Sequence, residues 1–302
     1  MHPAELAILL HRALELRMAR FQELVQVVAW PQDPEALHQV RVGARRLGAV
    51  LDLVDPEAYG NHKVHRRTLK RLVSTLGHCR ELDVHAMALQ GQHQAAATPL
   101  LAAALEHLLE GLDRARTKAR RALAKEVEAL PLGDLPRLLR VKSLPHPFQS
   151  TSLQEAAWEL LREQSEVLTA LPELARQEDA LALHKARVRV KKFRYALEAL
   201  EAAFGEPPGH LLTFLRELQT CLGSHHDLAA LETWLWEAEA NLRNQDRAVL
   251  CGAVLDLIGV VAEDRRATFE AFTQRVARAP LASFPNQLRS ALGLALVPGE
   301  SA

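Results

Sequence analysis

The chain has 302 residues, enough for one large domain or two and for a substantial apolar core, and its 48% hydrophobic and 25% charged fractions are those of an ordinary globular protein. Lys plus Arg number 37 and Asp plus Glu 37, a formal charge of zero that on its own argues against a polyanion partner. No stretch reaches the roughly 18 uninterrupted apolar residues that span a bilayer and no basic segment followed by an apolar run opens the chain, so no membrane association and a cytoplasmic location are expected.

Ala, Leu, Glu, Arg and Gln dominate, β-branched runs are scarce, and apolar residues recur at spacings of three and four, which predicts an all-α protein. A first helix is expected over 3–29, ending before Pro31. Asp33 ahead of Pro34 reads as an N-cap followed by a first-turn proline and starts a second helix over 34–54. Pro56 and Gly60 precede a third, over 58–90. Gly91, Thr98 and Pro99 precede a fourth, over 99–129. Between 131 and 150 four prolines rule out a continuous helix, and this stretch reads as a linker. The second half repeats the plan at 151–171, 179–204, 209–240 and 245–279, with Pro172 and the turn from Gly205 to Gly209 as separators. Short turns make antiparallel neighbours, so the expected organisation is two four-helix bundles, residues 1–130 and 151–280, joined by the linker and followed by a tail at 281–302. Cys79, Cys221 and Cys251 have no metal-like spacing and read as reduced thiols.

The two halves also share a pattern. His38-x-x-Arg41-x-x-x-Arg45-Arg46-Leu47 returns 146 residues later as His184-x-x-Arg187-x-x-x-Lys191-Lys192-Phe193. A Leu-Gly pair whose glycine lies 39 residues after the histidine follows in each copy, Leu76-Gly77 and Leu222-Gly223, and an acid comes four positions later, Glu81 or Asp227. Repetition in register over two helices and a turn means that one structural unit has been duplicated. What recurs includes His, Arg and Lys, the side chains that bind phosphate oxygens.

At 100° per residue, His184, Arg187, Lys191 and Arg194 fall within about 80° of one helix, with Val190, Phe193, Ala196 and Leu197 opposite. His38, Arg41 and Arg45 occupy the same offsets in the first copy, where Gly48 takes the fourth. Lys63, Arg66, Arg67 and Lys70 make a further stripe in the third segment, and of these only Lys70 recurs as a cation, Arg216. From His38 to Arg80 nine Lys or Arg face three acids, and from His184 to Glu198 six face one. A solvated helix face normally interleaves acids at i+4. These stripes do not, and unpaired cations side by side repel until an anion lies between them. The sequence leaves open whether the two stripes line one cavity or two surfaces.

Other chemistries have weaker support. His62-x-x-His65 and His225-His226-Asp227 could contribute to a metal site, but an Arg three residues after each repeating histidine opposes a bound cation, and neither metal nor cofactor is expected. There is no Ser-His-Asp order, Gly-rich phosphate loop or carboxylate pair, so the chain is not expected to be an enzyme.

These residues resemble the CHAD domain, the conserved histidine α-helical domain. His38-x-x-Arg41-Val42-x-x-Arg45-Arg46-Leu47 and Leu76-Gly77-x-x-Arg80-Glu81-x-Asp83-Val84 are similar to its first two signatures. His184-x-x-Arg187-x-x-x-Lys191-Lys192-x-Arg194-Tyr195-x-Leu197-Glu198 and Leu222-Gly223-x-x-His226-Asp227 are similar to those of its second half. The resemblance covers roughly residues 1–280. It implies two pseudo-symmetric four-helix bundles with basic faces lining a shared channel or surface, binding of inorganic polyphosphate, and association with polyphosphate granules. Some members are fused to a triphosphate-processing CYTH domain, for which this helical chain leaves no room. Gly48, where a basic residue is usual, and His226, where the first copy has Arg80, are the departures. Repeat and resemblance together nominate His38, Arg41, Arg45, Arg46, Lys63, Arg67, Lys70, Arg80, His184, Arg187, Lys191, Lys192, Arg194, Arg216 and His226 as polyphosphate contacts. Polyphosphate carries charge and no bases, whereas single-strand binders interleave aromatics for stacking of about 1–3 kcal/mol per base. Aromatics are 5% here, which makes nucleic acid the weaker expectation. An enzyme acting on polyphosphate or nucleoside triphosphates, a nucleic-acid or acidic-protein binder, and a purely structural helical protein are the alternatives.

Overall fold

The structure, a computed structural model, describes residues 4–26, 33–54, 62–129, 152–206, 208–245 and 247–296. The first half consists of α1 (Ala4–Gln26), α2 (Pro34–Leu51), α3 (His62–Gln94) and α4 (Pro99–Glu128). The second consists of α5 (Leu153–Ser165), a 3₁₀ turn (Glu166–Leu168), the one-turn α6 (Leu171–Leu174), α7 (Ala180–Ala199), α8 (Gly209–Asn244), α9 (Ala248–Arg278) and α10 (Phe284–Ala291). There is no strand among the described residues, in agreement with the all-α expectation. The expected linker and the outer ends of the first and third predicted helices lie outside the described residues. The single helix expected over 151–171 is divided instead: α5 gives way to the 3₁₀ turn, and Pro172 occupies the first turn of α6, where its missing N–H is no loss. The tail carries α10, held by buried Phe284 and Leu288.

The helix starts follow from local chemistry. Asp33 accepts a hydrogen bond from the Glu35 N–H, Thr98 from Leu101, Ser152 from Glu155, and Asp179 from both Leu181 and Ala182. Each cap satisfies donors that no helical carbonyl can reach and contributes about 1 kcal/mol. In α2, Leu37, Val40, Ala44, Leu47, Val50 and Leu51 form one apolar face and are all at most 2% exposed. Gly43 on that helix allows close approach to α1, since a Cβ there would stand 2.9 Å from Leu24 Cδ1. In α7 the equivalent face is Leu183, Ala186, Val190, Phe193 and Leu197, with Phe193 edge-on to Phe284 at 5.9 Å. Burying a Leu or Phe completely contributes about 1.5–3 kcal/mol, and this apolar face holds the opposite, cationic face in place.

In the first half each helix packs on the next, in the second α5 packs on α7, α7 on α8 and α8 on α9, and the halves join helix to counterpart: α1 on α5, α2 on α7, α3 on α8 and α4 on α9. Two ion pairs cross this junction reciprocally. Arg46 reaches Glu198 at 3.5 Å, and Lys192, 146 positions after Arg46, reaches Asp52, 146 before Glu198, at 3.1 Å. Reciprocity of i with j and j with i is what a twofold relation between duplicated units produces. No helix among the described residues is long and apolar enough to cross a membrane.

Candidate functional site

Because α2 and α7 lie against each other, their unburied faces converge. Arg41 and Arg45 of α2 stand within electrostatic reach of Arg187 and Lys191 of α7, His38 within reach of Arg80 of α3 and of Lys191, and His226 of α8 within reach of Arg41, Arg187 and Lys191. The two stripes therefore line one site, built from α2, α3, α7 and α8. Among the described residues two carboxylates stand near it: Asp227, within reach of Arg41, Arg45, Arg187 and Lys191 and with Oδ1 3.7 Å from an Arg187 terminal nitrogen, and Glu35, within reach of His38 at the edge. His38 Nδ1 and Arg41 Nε are shielded from solvent and have no hydrogen-bond partner. Buried polar groups are ordinarily paired; here the Arg41 Nε–H is a donor without an acceptor, and His38 Nδ1 is free to donate or accept according to its tautomer.

The electrostatic consequence is strong. Partial burial, followed by repulsion from Arg45, Arg187 and Arg41, pulls the Lys191 ammonium down to about 6. Burial and then Arg45 and Arg187 pull Arg41 down to about 10. Arg45 and Arg187 are lowered as well, first by burial. His226 falls to about 3 through burial and then Arg187, and His38 and His184 are lowered by burial ahead of neighbouring cations. The histidines are neutral here. His184 Nδ1 faces His226 Nδ1 at 3.1 Å with ring centroids 4.4 Å apart, so one ring donates and the other accepts. The histidine pair supplies hydrogen-bonding capacity without adding charge to an already repulsive set.

The repeated glycines border this cluster. A Cβ on Gly223 would lie 3.8 Å from Arg187 Nε, and one on Gly77 would meet nothing within 4 Å. The preceding Leu76 and Leu222 are buried, at 0% and 2% exposure. The Leu-Gly pair thus puts an apolar anchor on one side of the helix and a bare strip on the other.

Of the fifteen nominated residues, the structure brings together His38, Arg41, Arg45, Arg80, His184, Arg187, Lys191 and His226. Arg46 and Lys192 lie at the edge in the reciprocal ion pairs, and at 3.5 Å the Arg46 contact is electrostatic only, its Nε having no hydrogen-bond acceptor. Arg194 is turned into the junction, paired with Glu198, donating to Gln219 Oε1 at 2.8 Å and stacked over Tyr195 at 4.6 Å. Lys63, Arg67, Lys70 and Arg216 are exposed on α3 and α8 without an ion pair among the described residues. The adjacent His225 and His226 part company: His225 points the other way, 2.8 Å from Glu178 Oε1, in a buried network completed by Arg265 and Glu232. The side chains of His62 and His65 lie outside the described residues, and among those described no group of three His, Cys, Asp or Glu could hold a metal ion. Asp83, part of the second signature, is 1% exposed and faces α4, where Arg116 Nε at 2.8 Å and Arg120 at 2.9 Å hold one of its oxygens. Sequence reasoning missed Arg17, half-buried and lowered by burial and by Arg46 beside it. Its position in the second copy is Glu163, so the repeat gave no signal.

The family model of the CHAD domain matches residues 12–236, a segment that contains all fifteen nominated residues. The chain belongs to the CHAD domain family. Two solved structures share its fold. The CHAD domain from the plant Ricinus communis is 22% identical, with a TM-score of 0.66 over 91% of this chain and 93% of that one. PptA from Streptomyces chartreusis is 18% identical, with a TM-score of 0.71 over 90% of this chain and 99% of that one. No curated protein sequence matches the chain. In this CHAD domain the histidines of the repeat are half-buried neutral partners among cations, and the repeating arginines and lysine carry the charge.

Proposed function

We propose that the cluster binds inorganic polyphosphate and performs no chemistry on it. The observation that carries this reading is the convergence of Arg41, Arg45, Arg187 and Lys191 from the two halves around a single carboxylate, Asp227, with Lys191 lowered to about 6 by burial and then by the neighbouring arginines. Guanidinium and ammonium groups bind phosphate oxygens by charge-assisted hydrogen bonds, and a chain with charge at every unit can meet all four at once. The glycine-lined strip leaves space for a slender ligand. The tyrosine beside the cluster, Tyr195, is 6% exposed and stacked beneath Arg194, so it offers no open ring for stacking. That disfavours recognition through bases. On this reading the protein works in the cytoplasm at polyphosphate granules, with neither metal nor cofactor.

The test incubates purified protein with long-chain polyphosphate and, separately, single-stranded RNA of equal charge, with and without Mg²⁺, following mobility and phosphate release. Polyphosphate is expected to displace RNA, affinity to fall steeply with salt as counterions are released, and no phosphate to appear. Victory of RNA, or turnover that disappears on neutralising Glu81, Asp83 or Asp227, would replace the reading with one of its alternatives.

A further inference from the structure

We infer that a long polyphosphate chain leaves the central cluster in one direction, over the N-terminal half of α3, along a track of Lys63, Arg67 and Lys70 that the second half of the protein lacks. The inference rests on the polyphosphate reading and concerns how the chain is laid on the protein. A pseudo-twofold receptor would by default offer two equivalent exits. The repeat shows that they are not equivalent: Lys63, Arg67 and Lys70 correspond to Gly209, Thr213 and Arg216, and the neighbouring Arg71 corresponds to Glu217. Three open cations on one side thus face one on the other, where Glu217 is itself engaged by Arg275.

The geometry connects the track to the cluster. Lys63, Lys70 and Gly77 are spaced by seven residues and so share one face of α3, the face bare at Gly77; Arg80 lies about 60° from Gly77 on one side and Arg67 about 80° from it on the other. From Arg80 to Lys63 the helix runs about 25 Å at 1.5 Å per residue. Near the outer end of this stretch, Arg66 and Lys192, one from each half, meet on Asp52 at 2.6 and 3.1 Å. Lys63, Arg67 and Lys70 are exposed and have no ion pair among the described residues, which leaves them open to a phosphate chain there. The second half's other exposed cations on α7, Lys185 and Arg189, stand more than about 100° around that helix from Arg187 and Lys191 and do not extend the site.

The experiment compares wild type, a triple variant (Lys63→Gln, Arg67→Gln, Lys70→Gln) and Thr213→Lys, each with tripolyphosphate and with long-chain polyphosphate over a salt series, after circular dichroism has confirmed the fold. Tripolyphosphate reaches only the central cluster, and the triple variant is expected to change its affinity less than twofold. Long chains are expected to bind the triple variant about tenfold more weakly, with a slope of log affinity against log salt shallower by roughly 2, since about 0.7 counterion is released per contact to a single strand. Thr213→Lys, which restores a cation at the position of Arg67, is expected to strengthen long-chain binding alone. Equal losses for short and long ligands would assign the three cations to the central site, and no loss for long chains would make them a solvated face; either overturns the track. Failure of wild type to bind either ligand would instead remove the polyphosphate reading beneath it.

Discussion

On the polyphosphate reading, Lys191 links binding to proton uptake. In the empty protein its ammonium is lowered to about 6 by burial and by Arg45, Arg187 and Arg41. A phosphate chain between these groups turns net repulsion into attraction and returns the group toward its ordinary range near 10.5. Binding at pH 7.5 then takes up about one proton. Affinity is greatest at low pH and declines as pH rises between the two values, by about tenfold, or 1.4 kcal/mol, per pH unit from roughly pH 7 to 9; below about pH 6 Lys191 is charged in both states and its contribution flattens. The same linkage acts on stability with the sign worked through: the unfolded chain holds the Lys191 proton up to about 10.5 while the empty folded protein releases it near 6, so this group makes the empty protein more stable as pH rises through that interval. Calorimetry in two buffers of different ionisation enthalpy measures the proton count, and Lys191→Arg, which stays protonated, is expected to abolish the pH slope while retaining binding. That control also separates Lys191 from titration of the chain's own terminal phosphates. Zero proton uptake by wild type at pH 7.5, or an unchanged slope in Lys191→Arg, would refute the reasoning.

Three further outcomes follow from the same geometry. Replacing Arg41, Arg45 and Lys70 by Ala, or Arg187, Lys191 and Arg216, is expected to weaken long-chain binding at least about tenfold in either case and further in combination, with the helical circular dichroism intact, because charge-assisted contacts contribute about 1.5–3 kcal/mol when sheltered and less when exposed. Gly77→Leu and Gly223→Leu are expected to preserve or raise thermal stability, a helical Gly being about 1 kcal/mol less favourable than Ala, while reducing polyphosphate affinity by filling the bare strip; unchanged affinity would show that the glycines do not border the ligand. Asp52→Asn is expected to shift stability by under about 1 kcal/mol, as befits an exposed pair, and to strengthen polyphosphate binding by freeing Arg66 and Lys192, which a binding isotherm and a melting curve would check together.

Much of this was legible in the residues. Helix starts at Asp33, Thr98 and Asp179 were readable because a cap acts through the next three residues and needs no tertiary context. The cation cluster was readable because duplication repeats side chains in register, including Leu76-Gly77 and Leu222-Gly223, whose burial and openness the structure displays. What stayed hidden depends on how the halves meet. Arg46 and Lys192 sit one position past the inward-facing Arg45 and Lys191, and the 100° turn directs them to acids of the other half, Glu198 and Asp52, that no local spacing connects to them. Arg194 has the periodicity of the stripe, yet its i+4 neighbour Glu198 and Gln219 draw it into the junction. Helical phase also separates His225 from His226, which a metal-oriented reading of adjacent histidines puts together.

The position of the cluster explains why duplication suits this chemistry. A single stripe such as His38, Arg41 and Arg45 on an isolated helix would be screened by water and would hold an anion weakly. Packing α2 against its counterpart α7 brings a second copy of the stripe to the junction, so each cation gains neighbours of like charge and loses solvent in one step. The repulsion cannot relax by moving apart, because the opposite faces of the same helices are locked in the core through Leu37, Leu47, Val190 and Phe193, each at most 2% exposed. Internal neutralisation is partial: Asp227 faces four cations, and the rim acids Asp52 and Glu198 are occupied by Lys192, Arg66, Arg46 and Arg194. An incoming anion relieves that repulsion, so the apolar packing that opposes the spread of the cations is itself what makes them receptive.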